Sequence, residues 1–240
     1  MKQILVIDDE KPTLGMFELF LGAYGYEVLT AENALEGLKI FEKEKPPIVI
    51  TDIKMPGMDG LEILRRIKEI DPAAEVIVIT GHGDMDLAVK AMSLRATDFI
   101  NKPIQKTALD DALRRAEERR RLNFHNLEPS VELIAKGEIA IIHVHGDCTE
   151  NCRTRLLETY HNAVAQSVRK VILRFDPNST FDGAIVEFLV KLFSEERSEG
   201  RSFAIVGISE NMKKVFSMVG ITKFADIYDS EQQAIEAMVE

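Results

Sequence analysis

Four short apolar runs in the first half of this 240-residue chain each end on a residue that can do polar chemistry. Gln3–Ile7 runs into Asp8, Asp9 and Glu10; Pro47–Ile50 leads to Asp52; Glu75–Ile79 ends at Thr80; Thr97–Ile100 is followed by Lys102-Pro103. Three acidic side chains in a row at a strand end are costly unless they are solvated or hold a cation. Asp52 is followed by Pro56-Gly57 and Asp59-Gly60, which is turn chemistry, and then by Leu61-Glu62-Ile63-Leu64, which opens a helix. Taken alone, Asp52 could simply cap that turn. The neighbouring segments decide against so plain a role, because they deliver polar groups to the same kind of position.

The elements that must position these residues follow from periodicity. Strand-length runs (3–7, 27–30, 47–50, 75–79 and 97–100) alternate with amphipathic stretches over about 120 residues. Leu14, Phe17 and Leu21 mark one helical face, and Ala34, Leu38 and Phe41 another. Five β-α units with crossover-length helices predict an α/β fold, a doubly wound five-stranded parallel sheet. All strand carboxyl ends then share one edge, where ligands bind in such sheets.

With those residues in place, the segment resembles the receiver domain of two-component response regulators, a flavodoxin-like fold. The matching residues are Asp8-Asp9, Asp52 with Met55-Pro56-Gly57 and Asp59-Gly60, Thr80, and Lys102-Pro103 with Phe99. The stretch Thr80–Asp84 with Ala88–Met92 is similar to receivers that control sigma-54-dependent activators; Arg95-Ala96 departs from their usual Gly-Ala. The resemblance implies that Asp52 accepts a phosphoryl group from a histidine kinase. It implies Mg²⁺ held by Asp9, Asp52 and the backbone carbonyl of Lys54, with Asp8 acting through water. Lys102 would meet the phosphoryl oxygens, Thr80 would donate its hydroxyl to them, and Phe99 would turn inward as the switch. Lys54 and His82 would flank the phosphoryl group as cations and slow its hydrolysis, making the chain a phosphoryl acceptor that loses its label slowly and not an enzyme of turnover.

Residues 107–123 read as one helix with Leu109, Leu113 and Ala116 on one face. Its arginines at 114, 115, 119, 120 and 121 interleave with Asp110, Asp111, Glu117 and Glu118, which reads as a solvated face of paired charges. The resemblance implies self-association there, with Leu109 and Leu113 packing across a homodimer interface. Asn126–Ser130 breaks the helix, so the expected domains are a receiver over 1–123, a linker over 124–130 and a second domain over 131–240.

That second domain reads as two strands joined by a turn, then α-β alternation: a mixed α/β domain with its helices on one side of the sheet. It resembles the STAS domain of sulfate transporters and anti-sigma factor antagonists. The carriers are Gly146-Asp147, Val171-Ile172-Leu173 leading to Phe181-Asp182, Ile205–Ser209, and Val219-Gly220-Ile221 before Phe224. Stand-alone members often have Asp-Ser-Ser-Gly; here the stretch is Asp182-Gly183-Ala184-Ile185, so the acceptor serine is replaced by Gly183. The resemblance implies a protein partner, anti-sigma factor-like, for this output domain. The alternative is a small molecule or anion held at the helix start of Asp182-Gly183. His143, His145, Cys148 and Cys152 fit no standard zinc spacing, so the sequence does not support a metal site built from that set.

Composition bounds the rest. The chain is 45% hydrophobic and 29% charged, with a net charge of −10. Residues 1–125 carry 18 basic and 22 acidic side chains, and residues 126–240 carry 12 and 18. Two acidic halves without a helix-turn-helix argue against nucleic acid as partner. Two cysteines, no apolar run of spanning length and no secretory leader predict a cytoplasmic protein with no membrane insertion.

Overall fold

The computed structural model describes residues 2–81, 83–122, 124, 128–136 and 138–239, the side chains of 135 and 136 excepted. It divides into two compact units, Met1–His125 and Asn126–Glu240. His82 lies outside the described residues.

In the first unit, β1 (Lys2–Ile7), β2 (Tyr26–Ala31), β3 (Ile48–Asp52), β4 (Glu75–Thr80) and β5 (Asp98–Asn101) alternate with five helices. These are α1 (Lys11–Ala23), α2 (Ala34–Glu44), α3 (Gly60–Ile70), α4 (Met85–Ser93) and α5 (Lys106–Arg121). The strands form one parallel sheet in the order β2-β1-β3-β4-β5. The sheet is buried on both faces, which is why β3 and β4 are buried along their whole length and their apolar residues do not alternate with polar ones. Ile4, Val6, Ile50, Ile77 and Ile79 meet α1 and α5 through Phe17, Leu21, Leu109, Leu113 and Ala116. Residues of opposite parity face the other helices; Ile7, for example, lies against Gly37 of α2.

Two expectations fail on α5. Leu109 and Leu113 are each only 4% exposed and belong to this core, so they cannot pack across a homodimer interface. The arginines are not one solvated face either. Arg114 pairs with Asp111 and Glu118 in the open, but Arg115 reaches the buried Asp98 at 3.1 Å and Arg119 is itself buried. Charge spacing along a helix cannot report which side the sheet will cover. Phe124, assigned to the linker from sequence, is buried with its ring 5.0 Å from the Arg119 guanidinium carbon.

Helix α4 ends with Arg95 in the left-handed region at φ 63°. The Arg95 N–H bonds to Met92 O at 2.9 Å and the Ala96 N–H to Ala91 O at 3.0 Å, the paired bonds of a Schellman ending. A side chain in that conformation costs about 1–2 kcal/mol, which glycine avoids while adding about 0.4–1 kcal/mol of unfolded-chain entropy. Arg95→Gly is therefore expected to stabilise the chain by about 1 kcal/mol in urea unfolding. A lower midpoint at unchanged slope would contradict this account of the turn.

The second unit contains β6 (Ser130–Lys136), β7 (Ile139–His145), β8 (Lys170–Phe175), β9 (Ser202–Val206) and β10 (Ala225–Ile227) in sequential order across one sheet. β6 runs antiparallel to β7 and the other pairs are parallel. Helices α6 (Glu150–Ala165), α7 (Gly183–Ser198), α8 (Glu210–Met218) and α9 (Glu231–Val239) connect or follow the strands. Gly220, at φ 88°, ends α8 as its position after Val219 suggests.

The helices do not all lie on one side. Phe203 of β9 meets Tyr160 of α6 and Phe193 of α7 on one face, whereas Ala204 and Val206 meet Ala234 and Met238 of α9 on the other. Ile139, Ile141 and Ile172 complete that second core. The sequential right-handed crossovers put α6 and α7 together, but α9 follows the last strand and is free to fold back over the bare face. Among the described residues no helix is long and apolar enough to cross a membrane.

Candidate functional site

The carboxyl edge of the first sheet brings together what the sequence scattered. Asp52 closes β3 and is 4% exposed; Asp8 follows β1 and is fully buried; Asp9 beside it is exposed. Carboxylate oxygens of the three lie within 4.8 Å of one another. The Lys102 ammonium, just past β5, bonds Asp52 Oδ2 at 2.7 Å and stands 3.6 Å from Asp8 Oδ2. Lys102 is anchored by its own N–H, which donates to Thr80 O at 2.7 Å.

The local sequence holds Asp52 in place. Asp59 caps α3 by accepting from the Glu62 N–H at 2.9 Å. Gly60 starts that helix against the strand, and its N–H donates to Ile53 O at 2.8 Å. A Cβ at Gly60 would fall 2.1 Å from the Asp52 carbonyl oxygen, so only glycine lets α3 approach the strand end this closely. An open depression of about 480 Å³ beside the acidic group is lined by Asp9, Ile53, Lys54, Met55, Pro56, Asp59 and Leu87.

The electrostatics are those of a site short of positive charge. Burial pushes the Asp8 carboxyl above the usual carboxylate range, against the lowering effects of the Glu10 N–H at 2.8 Å and of Lys102. Partial burial acts to lower Lys102, but the hydrogen bond and charge of Asp52, with Asp8 and Glu10 behind it, hold its ammonium above the ordinary value. Asp8 Oδ2 is buried and finds no hydrogen-bond donor among the described residues. An all-oxygen donor set with an orphaned carboxylate oxygen suits a hard divalent cation.

The other sequence-selected residues fall less uniformly. Thr80 is buried at the end of β4 and its hydroxyl donates to Gly81 O at 3.2 Å. Phe99 already lies inside, 2% exposed. The Lys54 N–H approaches Asp52 Oδ1 at 3.4 Å, a long contact. Its ammonium, however, pairs with Asp84 at 2.8 Å and does not lie over Asp52. Asp84 stands at the start of α4, a partner that the spacing from Asp52 could not reveal.

In the second unit Asp182 caps α7 by accepting from the Ile185 N–H at 2.9 Å. Its other oxygen accepts from the Glu150 N–H at 2.9 Å, at the first residue of α6. The start of α7 at Gly183 is thus already met by a resident carboxylate, which removes the electrostatic reason for a small anion to settle there. Ser179 donates to Gly146 O at 2.5 Å, and Thr180 donates to Asp147 through both its N–H and its hydroxyl at 2.9 Å.

Comparison with known proteins follows the division into two units. Residues 4–114 match the response regulator receiver domain family, and residues 130–234 match the STAS domain family. The sporulation initiation phosphotransferase F of Bacillus subtilis is 35% identical over 114 residues, 48% of this chain and 92% of that protein. The C4-dicarboxylate transport transcriptional regulatory protein DctD of Pseudomonas aeruginosa is 41% identical over 137 residues, 57% of this chain but 30% of that protein. The chain thus spans less than a third of that longer regulator. A receiver domain crystal structure from Clostridium thermocellum aligns with a TM-score of 0.50 at 43% identity, covering 51% of this chain and 99% of that one.

Proposed function

Because the chain belongs to the response regulator receiver family and carries a STAS domain behind its receiver, we propose that Asp52 takes a phosphoryl group from a histidine kinase and thereby switches the STAS domain's hold on a protein partner. The observation that carries this reading is the Lys102 ammonium 2.7 Å from Asp52, with Asp8 and Asp9 close by. In the transfer an Asp52 oxygen attacks phosphorus as the bond to the kinase histidine nitrogen breaks. Transfer of this kind depends chiefly on positioning and charge neutralisation. Mg²⁺ held by Asp9, Asp52 and the Lys54 carbonyl, with Asp8 through water, would offset the repulsion between carboxylates and phosphoryl oxygens.

The residues of the chain do the rest. Lys102 gives up its bond to Asp52 Oδ2 and follows the charge to the phosphoryl oxygens. Thr80 turns its hydroxyl from Gly81 O to the same group, and Phe99, already buried, closes into the space that Thr80 leaves. That local rearrangement biases the α4–β5 side of the receiver between two states. Gly183 stands where stand-alone STAS proteins carry their acceptor serine, which supports signal entry at Asp52 and not within the output domain. The chain acts as a phosphoryl acceptor and not as a turnover enzyme; with the Lys54 ammonium held by Asp84, slow loss of the phosphoryl group has no support from that side chain.

The test is affinity capture with the full chain, with and without beryllofluoride and Mg²⁺ as the acyl phosphate mimic. A specific protein is expected to be retained in one state only, and Asp52→Asn is expected to be locked in the unmodified pattern. Identical capture in both states, shared by Asp52→Asn, would refute the switch.

A further inference from the structure

His143 and His145 stand two residues apart on β7, so both imidazoles leave the same face of the sheet. Their ring centroids are 3.6 Å apart with the planes tilted by 40°. Parallel pairing of β7 with β8 brings Asp176, the residue after β8, beside them. Asp176 Oδ1 lies 3.1 Å from His143 Nε2 and 3.7 Å from His145 Nδ1. One donor atom from each of the three lies within 4.8 Å of the other two. A tetrahedral ion with bonds of about 2.1 Å places its donors about 3.4 Å apart, and the two measured separations bracket that edge.

The surroundings fix these donors. Asp176 Oδ2 accepts the Gly146 N–H at 2.9 Å, which orients the carboxylate with Oδ1 toward the histidines. His145 turns its other nitrogen, Nε2, toward Glu132 Oε2 at 3.7 Å, beyond a direct hydrogen bond but near enough for the carboxylate to close onto a metal-bound imidazole. Arg174, opposite His143 on β8, directs its guanidinium to Glu231 of α9 at 3.1 Å.

We propose that His143, His145 and Asp176 form a zinc site on the output domain, with Glu132 orienting His145 and solvent in the fourth position. Imidazole and carboxylate donors suit zinc, whereas the all-oxygen group at Asp52 suits Mg²⁺, so the two sites separate by metal. Cys148 and Cys152 take no part. Their sulfurs lie 3.3 Å from each other in the buried core, and neither belongs to the donor cluster.

The experiment is calorimetric titration of the full chain with ZnCl₂ in a large excess of Mg²⁺, alongside thermal unfolding. One zinc per chain and a raised unfolding temperature are expected. His145→Asn and Asp176→Asn, both at partly exposed positions, should each weaken binding at least tenfold, and Glu132→Gln by about tenfold. Asp52→Asn should leave zinc binding unchanged, and Co²⁺ should give the intense visible absorption of a four-coordinate site. No zinc uptake, uptake lost in Asp52→Asn, or uptake unaltered in both His145→Asn and Asp176→Asn would each overturn the proposal.

Discussion

Arg119→Met is expected to destabilise the chain by about 3–5 kcal/mol, the cost of leaving a buried charge without its partner. Arg119 and Glu75 have side chains 2% and 1% exposed, and Nε meets Oε2 at 2.9 Å. The Thr97 hydroxyl donates to the same oxygen at 2.5 Å, while Glu75 Oε1 finds no hydrogen-bond donor among the described residues. The pair joins the start of β4 to the last turn of α5, at the edge of the sheet away from Asp52. Glu75→Leu combined with Arg119→Met should recover most of the loss, because the double change removes both charges. Urea unfolding of the single and double variants measures this; a single-variant loss below about 1 kcal/mol would mean that the pair is not the buried anchor described.

Why the sequence missed that pair, yet delivered the acidic site, is a matter of what periodicity can carry. Strand ends are marked by a change from apolar to polar residues, so Asp8, Asp52, Thr80 and Lys102 were visible as a group once the sheet was inferred. Glu75 sits at the opposite end of β4, where an acidic residue reads as the solvated start of a strand. Arg119 sits among five arginines whose helical spacing suits exposed pairing equally well. Only the tertiary docking of α5 distinguishes Arg119 from Arg120, and docking also took Leu109 and Leu113 into the core. The bond between Lys54 and Asp84 has the same origin: two residues 30 apart meet through the placement of α4.

The output domain shows the limit from another side. Its strands and most helices were legible because each is short and strongly apolar. The position of α9 was not, since a terminal helix has no following strand to fix which face it covers. The histidines of β7 were judged by their distance in sequence from Cys148 and Cys152, and no familiar spacing emerged. Their actual neighbour, Asp176, is 31 residues beyond His145 and arrives through pairing of β7 with β8. Local spacing finds metal sites built on one turn or one helix; it does not find those that a sheet register assembles.

Acetyl phosphate with Mg²⁺ should place one phosphoryl group on the wild-type chain and none on Asp52→Asn, and removing Mg²⁺ with a chelator should stop labelling. Lys102→Met gives the sharper result. Three carboxylates stand within 4.8 Å of one another, and Lys102 neutralises two of them at 2.7 and 3.6 Å. It thereby competes with any cation for Asp52 Oδ2. Its loss should strengthen Mg²⁺ binding to the unmodified site, because the carboxylates are left with more uncompensated charge. The same loss should slow labelling by about 10²–10³-fold, since a positive group aimed at the developing phosphoryl charge is gone. Tighter metal binding with slower transfer distinguishes a group that acts on the reaction from one that merely holds the fold. Calorimetry of Mg²⁺ binding and the time course of label measure the two quantities. Equal labelling of Asp52→Asn and wild type would remove Asp52 as the acceptor, and Lys102→Met labelling at the wild-type rate would remove Lys102 from the transfer.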